Sequence, residues 1–100
     1  MQQISALSLK SRQQSGEPLN LLDVREEIEF HTYNIGGQNI PLSKLNEDMD
    51  LITPNKNDEI IVICKAGLRS STAQAMLIQN GYNNVKNLSG GLLALQRLPA

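Results

Sequence analysis

The chain is poor in the residue types that most often anchor a site. Its 100 residues include one Cys, one His, no Trp, two Tyr and one Phe. One cysteine cannot close an internal disulfide, and it supplies too few sulfur ligands for a structural zinc site. Neither sign of charge is in excess: nine Lys and Arg against ten Asp and Glu leave −1. That balance gives no reason to expect nucleic acid or a membrane surface as a partner. No apolar run approaches the roughly 18 residues a membrane span needs. The start, Met1-Gln2-Gln3-Ile4-Ser5, has neither the cationic opening nor the apolar core of a signal peptide. A cytoplasmic chain with a lone thiol is the simplest expectation. With 40% hydrophobic residues, residues 1–100 suffice for one small domain around one core.

What is present alternates. Ile4 closes a short edge strand, and Ser5 caps a helix to about Gln14 that Gly16 ends. Leu19-Asn20-Leu21-Leu22-Asp23-Val24 reads as a strand. Asp23 at its end is placed to cap a short helix over Arg25-Glu26-Glu27-Ile28-Glu29-Phe30, whose acids suit the positive end of the dipole. Ile35-Gly36-Gly37 breaks regularity, and Gln38-Asn39-Ile40-Pro41 is a very short strand stopped by proline. Leu42 to about Leu51 has helical character, with Leu42, Leu45 and Met49 on one side. Thr53 to Asp58 is a turn cluster. Ile60-Ile61-Val62-Ile63 is apolar at successive positions, as a central parallel strand is. A helix over Ser70–Asn80 stopped by Gly81, a strand over Val85-Lys86-Asn87-Leu88, a turn at Gly90-Gly91 and a helix over Leu92–Leu98 complete the chain. Strands alternating with helices through short links predict an α/β fold with a parallel sheet covered on both faces.

The chemistry concentrates at Cys64. It follows the buried strand, where ligands of open α/β sheets bind, and the next helix brings unpaired N–H groups and a partial positive charge. Lys65-Ala66-Gly67-Leu68-Arg69 can fold so that successive amides converge on the sulfur, an anion-binding nest. Gly67 supplies the backbone freedom such a tight ring needs. Surroundings of this kind lower a thiol pKa from about 8.5 to roughly 3.5–7.5. Arg69 could fasten the loop or hold an anionic substrate bidentately. Lys65 is expected at the rim, steering anions. Ser70 and Ser71 read as helix caps, since no base stands beside them. His31 lies on a polar helix end and is not expected to serve as a base. Asp23, Arg25 and Glu29 are expected to form structural ion pairs near the same end of the sheet.

These residues assemble into a known pattern. Leu22-Asp23-Val24-Arg25-Glu26 with Glu29, then Ile35-Gly36-Gly37 through Ile40-Pro41-Leu42, come first. They are followed by Ile61-Val62-Ile63-Cys64-Lys65-Ala66-Gly67-Leu68-Arg69-Ser70, by Gly81-Tyr82-Asn83-Asn84-Val85, and by Leu88-Ser89-Gly90-Gly91. In this order the sequence resembles the rhodanese-like domain over nearly its whole length. The resemblance implies a five-stranded parallel sheet flanked by helices on both faces, and a sulfurtransferase without metal or organic cofactor. Cys64 would be catalytic, with Lys65, Ala66, Gly67, Leu68, Arg69 and Ser70 as its substrate-binding loop. It would take sulfur from a small anionic donor such as thiosulfate as a persulfide and pass it to cyanide or a thiol, including a sulfur-carrier protein. Two positions depart from the family pattern: Asn34 stands where His is frequent, and Leu92 to Leu95 replace an aromatic after the double glycine.

Two rival functions follow from the same residues. A cysteine-dependent phosphatase or arsenate reductase also places a cysteine in an anion-binding loop. Those relatives put five residues between Cys and Arg, whereas four separate Cys64 from Arg69, and a smaller ring suits sulfur better than a tetrahedral oxyanion. A non-catalytic binding module in a sulfur relay is the other rival; such modules commonly lack the cysteine that is present here.

Overall fold

Ile60, Ile61, Val62 and Ile63 form the middle strand of the molecule, and all four side chains are withdrawn from solvent. The computed structural model describes residues 1–99. Its strands and α-helices are β1 (Gln3–Ile4), α1 (Ala6–Gln14), β2 (Leu21–Asp23), α2 (Glu27–Thr32), β3 (Gln38–Asn39), β4 (Ile60–Ile63), α3 (Leu68–Gln79), β5 (Val85–Leu88) and α4 (Gly91–Gln96). The strands lie in the order β1-β5-β4-β2-β3, and every neighbouring pair is parallel. The expected five-stranded parallel sheet is therefore present.

Strand parity divides the core in two. Ile60, Val62 and Cys64 face one side with Leu22, Val24, Ala73 and Leu77, under α3. Ile61 and Ile63 face the other with Ile4, Leu9, Leu88 and Leu92, under α1 and α4. This is why β4 is apolar at every position: both of its faces are covered. Each buried Leu or Ile contributes about 1.5–3 kcal/mol, which lets strands of two to four residues persist. Among the described residues, no helix is long and apolar enough to cross a membrane.

Several local expectations hold. Ser5 accepts a hydrogen bond from the Ser8 amide at 3.0 Å and caps α1. Others are corrected. The Leu42–Leu51 stretch is two short 3-10 turns, Leu42–Lys44 and Met49–Leu51, rather than one helix. Its apolar side still packs, with Leu45 fully buried and Leu42 and Met49 against the core. The intervening Asn46 and Asp48 are residues whose side chains compete for backbone hydrogen bonds and weaken helix. Asp23 does not cap α2. Glu26 occupies that position, its amide donating to Glu29 Oε1 at 3.1 Å. Helix α3 begins two residues earlier than expected, at Leu68, so Ser70 and Ser71 lie inside it and neither is a cap.

One buried amide joins α3 to the sheet edge. Gln74 Nε2 donates to the carbonyls of Gln2 at 2.6 Å and Val85 at 2.9 Å, while its Oε1 has no partner. Gln74→Leu removes two donors from these carbonyls and relieves one orphan acceptor. Two losses against one relief predict a net destabilisation of about 1–3 kcal/mol. Urea unfolding of the variant checks this, and a raised midpoint would show that the orphaned Oε1 dominates.

Candidate active site

The site lies where β4 ends. Cys64 is 1% exposed, and strand parity turns its side chain toward α3. The chain then leaves the sheet through Lys65 and Ala66, both exposed, and re-enters order at Gly67. Gly67 has φ +99°, a left-handed conformation that side-chain-bearing residues rarely adopt, and it is the N-cap of α3. That turn aims the Gly67 amide at the sulfur, to which it donates at 3.0 Å. Ser70, one helical turn in, brings its hydroxyl to 3.1 Å from the same sulfur. Leu68 between them is 80% exposed.

These contacts decide the ionisation of the thiol. Burial pushes the Cys64 thiol up, because a charged sulfur loses its hydration. The Ser70 hydroxyl and the amides of Ser70, Gly67 and Ala66 favour the anion, and together they outweigh burial. The net direction is down from the ordinary thiol value. Such a sulfur is a better nucleophile near neutral pH than a free cysteine.

The loop is held from three sides. From one side, the N-terminus of α4 donates to it: the Leu92 amide reaches the Cys64 carbonyl at 2.9 Å, and the Leu93 amide the Lys65 carbonyl at 3.0 Å. Gly91 makes this approach possible, since a Cβ there would stand 2.5 Å from the Cys64 oxygen, and its φ is +62°. From the second side, Glu29 of α2 takes both ends of the Arg69 guanidinium, Nη1 at 2.6 Å and Nη2 at 2.9 Å. The Arg69 guanidinium, ahead of the opposing effect of burial, holds the Glu29 carboxyl well below its ordinary 4.5, at about 2. From the third side, the buried Asp23 carboxylate binds Arg25 through Nε at 3.0 Å and Nη2 at 2.8 Å. Arg25 Nη2 passes on to the Tyr33 carbonyl at 2.7 Å and so fixes the C-terminal end of α2, the helix that carries Glu29 in its first turn.

The residues singled out from sequence are thus gathered at one end of the sheet, except His31. That ring stands edge-on to Phe30 on the exposed part of α2, and among the described residues it makes no hydrogen bond to the loop. The expected structural pairs at Asp23, Arg25 and Glu29 exist, with Glu29 joined to Arg69. Of the two roles open to Arg69, fastening the loop is the one its geometry serves. Lys65 lies at the rim of a groove of about 340 Å³ lined by Arg25, Ile28, Glu29, Tyr33 and Leu93. Sequence reasoning missed the α4 amides, whose signal was the Gly90-Gly91 doublet. It also missed Asn87, a polar residue on the buried face of β5. Its side chain contacts both Gly67 and Ser70.

Known proteins share this fold. The family model for the rhodanese-like domain matches residues 5–98. The chain is 36% identical over 70 residues to the Escherichia coli protein named thiosulfate sulfurtransferase PspE, covering 69% of this chain and 67% of that one. It is 36% identical over 91 residues to YrkF of Bacillus subtilis, covering 90% of this chain. The chain spans 48% of the length of YrkF and 24% of that of MoeZ from Mycobacterium tuberculosis. Among solved structures, the human single-domain sulfurtransferase TSTD1 superposes with a TM-score of 0.85 at 26% identity, over 100% of this chain and 99% of that one. SSP1007 of Staphylococcus saprophyticus gives 0.84 at 31% identity, over 95% and 93% of the two chains.

The Glu29–Arg69 pair has a pH signature. A carboxyl held at about 2 when folded, against an ordinary 4.5, contributes stability above 4.5 that is lost as pH falls through 2. Glu29→Gln is therefore expected to lower Tm at neutral pH, with its deficit relative to wild type shrinking between pH 4.5 and 2. Arg69→Ala is expected to show the same convergence. Thermal melts across that window check it, and a deficit constant with pH would show that the pair does not hold the loop.

Proposed function

Because this chain belongs to the rhodanese-like domain family, we propose that it is a sulfurtransferase in which Cys64 carries the sulfur as a persulfide. The observation that carries the reading is the buried Cys64 sulfur, ringed by donors that outweigh its burial. In the first half-reaction the Cys64 thiolate attacks the outer sulfur of thiosulfate. A Cys64–S bond forms, the donor S–S bond breaks, and sulfite leaves with the electron pair. The negative charge then sits on the outer sulfur of the persulfide. In the second half-reaction cyanide or a thiolate attacks that outer sulfur, the Cys64 S–S bond breaks, and the Cys64 thiolate is restored. This two-stage covalent scheme needs no metal, no organic cofactor and no general base, since the loop already favours the thiolate.

In this reading Lys65 steers anionic donors from the rim, and the amides of Ala66, Gly67 and Ser70 stabilise the negative sulfur. Leu68 and Arg69 shape the ring, Arg69 through its bond to Glu29. A phosphatase or arsenate reductase reading is disfavoured by the same pair. Both ends of the Arg69 guanidinium are already engaged by Glu29, and an oxyanion would have to displace a carboxylate to reach them. The acceptor class includes a sulfur-carrier protein, in keeping with relatives named as sulfurtransferases and with the name YrkF bears.

Intact mass spectrometry tests the proposal. Incubation with thiosulfate is expected to add one sulfur atom to the wild type, cyanide to remove it, and Cys64→Ser to abolish the gain. A wild type that takes up no sulfur from thiosulfate or from other sulfane donors would favour the non-catalytic binding module instead.

A further inference from the structure

Asn87 is 3% exposed and is hydrogen-bonded to Gly67 and Ser70, two of the three residues whose polar groups favour the Cys64 anion. It stands on β5, paired in register with Val62 of β4, and parity turns it to the α3 face as it does Cys64. Its Nδ2 donates to the Gly67 carbonyl at 3.2 Å, and its Oδ1 lies 2.6 Å from Ser70 Oγ. Gly67 in turn donates its amide to Cys64, and Ser70 Oγ is 3.1 Å from the same sulfur.

The orientation of this carboxamide follows from its neighbours. The Gly67 carbonyl can only accept, and it already takes the Ser71 amide at 3.2 Å. A flipped Asn87 would set its oxygen against that oxygen, so Nδ2 faces Gly67 and Oδ1 faces Ser70. Oδ1 carries no hydrogen, so at 2.6 Å Ser70 must be the donor. A serine hydroxyl has one proton. While that proton is on Asn87, Ser70 presents a lone pair to Cys64. This suits a thiol, which donates its own S–H, and it suits an uncharged sulfur. It does not suit a thiolate, which needs the proton for itself.

We propose that Asn87 is a positioning residue that holds the Ser70 hydroxyl proton while the Cys64 sulfur is uncharged and yields it when that sulfur is a thiolate. The hydroxyl is thus a two-position rotor, with Asn87 Oδ1 as one acceptor and Cys64 Sγ as the other. No covalent bond changes in the switch. Within the sulfur-transfer cycle proposed above, on which this clause rests, loading moves the charge to the outer sulfur. Sγ becomes a weak acceptor, and the proton returns to Asn87. Unloading reverses both. Asn87 therefore competes with the thiolate for the one side-chain donor the site possesses, while its other end keeps Gly67 in place.

The charged or titratable groups on the elements around Cys64 are Lys65 and Arg69 of the loop and α3, Asp23, Arg25, Glu26, Glu27, Glu29 and His31 of β2, α2 and the link between them, Lys86 of β5 and Arg97 beyond α4. Asp23 is paired with Arg25, Arg69 with Glu29, and Lys86 with Glu59. All are the same in wild type and in an Asn87→Ala variant.

The test is the pH dependence of Cys64 alkylation by iodoacetamide, measured on the whole chain without any sulfur donor. Asn87→Ala is expected to move the midpoint down by about one pH unit, a tenfold gain in thiolate well below the midpoint. Asn87→Asp, a stronger acceptor with added negative charge, is expected to move it up. Ser70→Ala is expected to move it up as well, and in that background Asn87→Ala should produce no downward shift. A loosened loop would move both Asn87 variants the same way. An unmoved or raised midpoint in Asn87→Ala overturns the proposal, as does a downward shift that survives in Ser70→Ala. If Asn87→Ala does not fold, Asn87→Leu, which keeps the branching at Cγ and lacks the acceptor, carries the same expectations and the same refutation. Sulfur loading on the wild type is read separately by mass. A normal sulfur adduct with an unmoved midpoint refutes the rotor alone, and an absent adduct with the expected shifts refutes the sulfur cycle alone.

Discussion

A cysteine with 1% exposure can hold negative charge on its sulfur only if the protein supplies the hydrogen bonds that water no longer does. Burial alone would keep the Cys64 proton on. The donors at Ser70, Gly67 and Ala66 reverse that direction, and each depends on the backbone path between β4 and α3. The rest of the molecule serves this path. The buried run from Ile60 to Cys64 places the end of β4 in the core, and the left-handed turn at Gly67 fixes where α3 starts. The sulfur lies between the last carbonyl of a strand and the first amides of a helix, where the chain has free N–H groups to offer.

The short loop between β4 and α3 does not keep such a shape unaided, because each ordered residue carries an entropic cost of about 1–2 kcal/mol. Here the cost is spread over separate elements. Helix α4 donates two amides to the carbonyls of Cys64 and Lys65, so the loop is bound through its backbone and not through side chains alone. Helix α2 has no buried residue of its own. It is tied down instead by Arg25 at its end and by Glu29 on Arg69. That explains a short, polar helix in a small molecule: its worth is electrostatic, holding the outer edge of the ring, and not hydrophobic.

The parts of this arrangement legible in the sequence are those with local causes. The apolar run at 60–63 announced a central strand, Ser5 announced a cap, and the lone cysteine after the run announced the site. Expectations failed where the deciding partner is remote. Ser70 reads as a cap from its place near a helix start, but its hydroxyl is hydrogen-bonded to Asn87, 17 positions away. Asp23 reads as a cap of α2 until the fold turns the Arg25 side chain onto it. Arg69 had two roles open because its partner lies 40 positions back, on another helix. Side-chain pairs of this kind leave no periodicity in the chain, since they depend on register between elements and not on spacing within one. Asn87 left a faint trace as an amide two positions after the buried Val85, on the same face of β5. Nothing in the sequence says what such an amide faces.

Register also connects the buried pairs to the chemistry. Asn87 reaches Ser70 because β5 lies beside β4 with Asn87 opposite Val62. A slip by one residue would turn Lys86 or Leu88 toward α3 in its place. Lys86 there would set a charge against the sulfur, and Leu88 would leave the Ser70 hydroxyl and the Gly67 carbonyl without the amide. The apolar alternation that holds β5 in register, Val85 on one face and Leu88 on the other, therefore does more than fill the core. It selects which polar side chain of β5 meets α3, and through Ser70 and Gly67 it sets the hydrogen bonds available to the sulfur. In so small a fold the packing of the sheet and the ionisation of the thiol are set by one constraint.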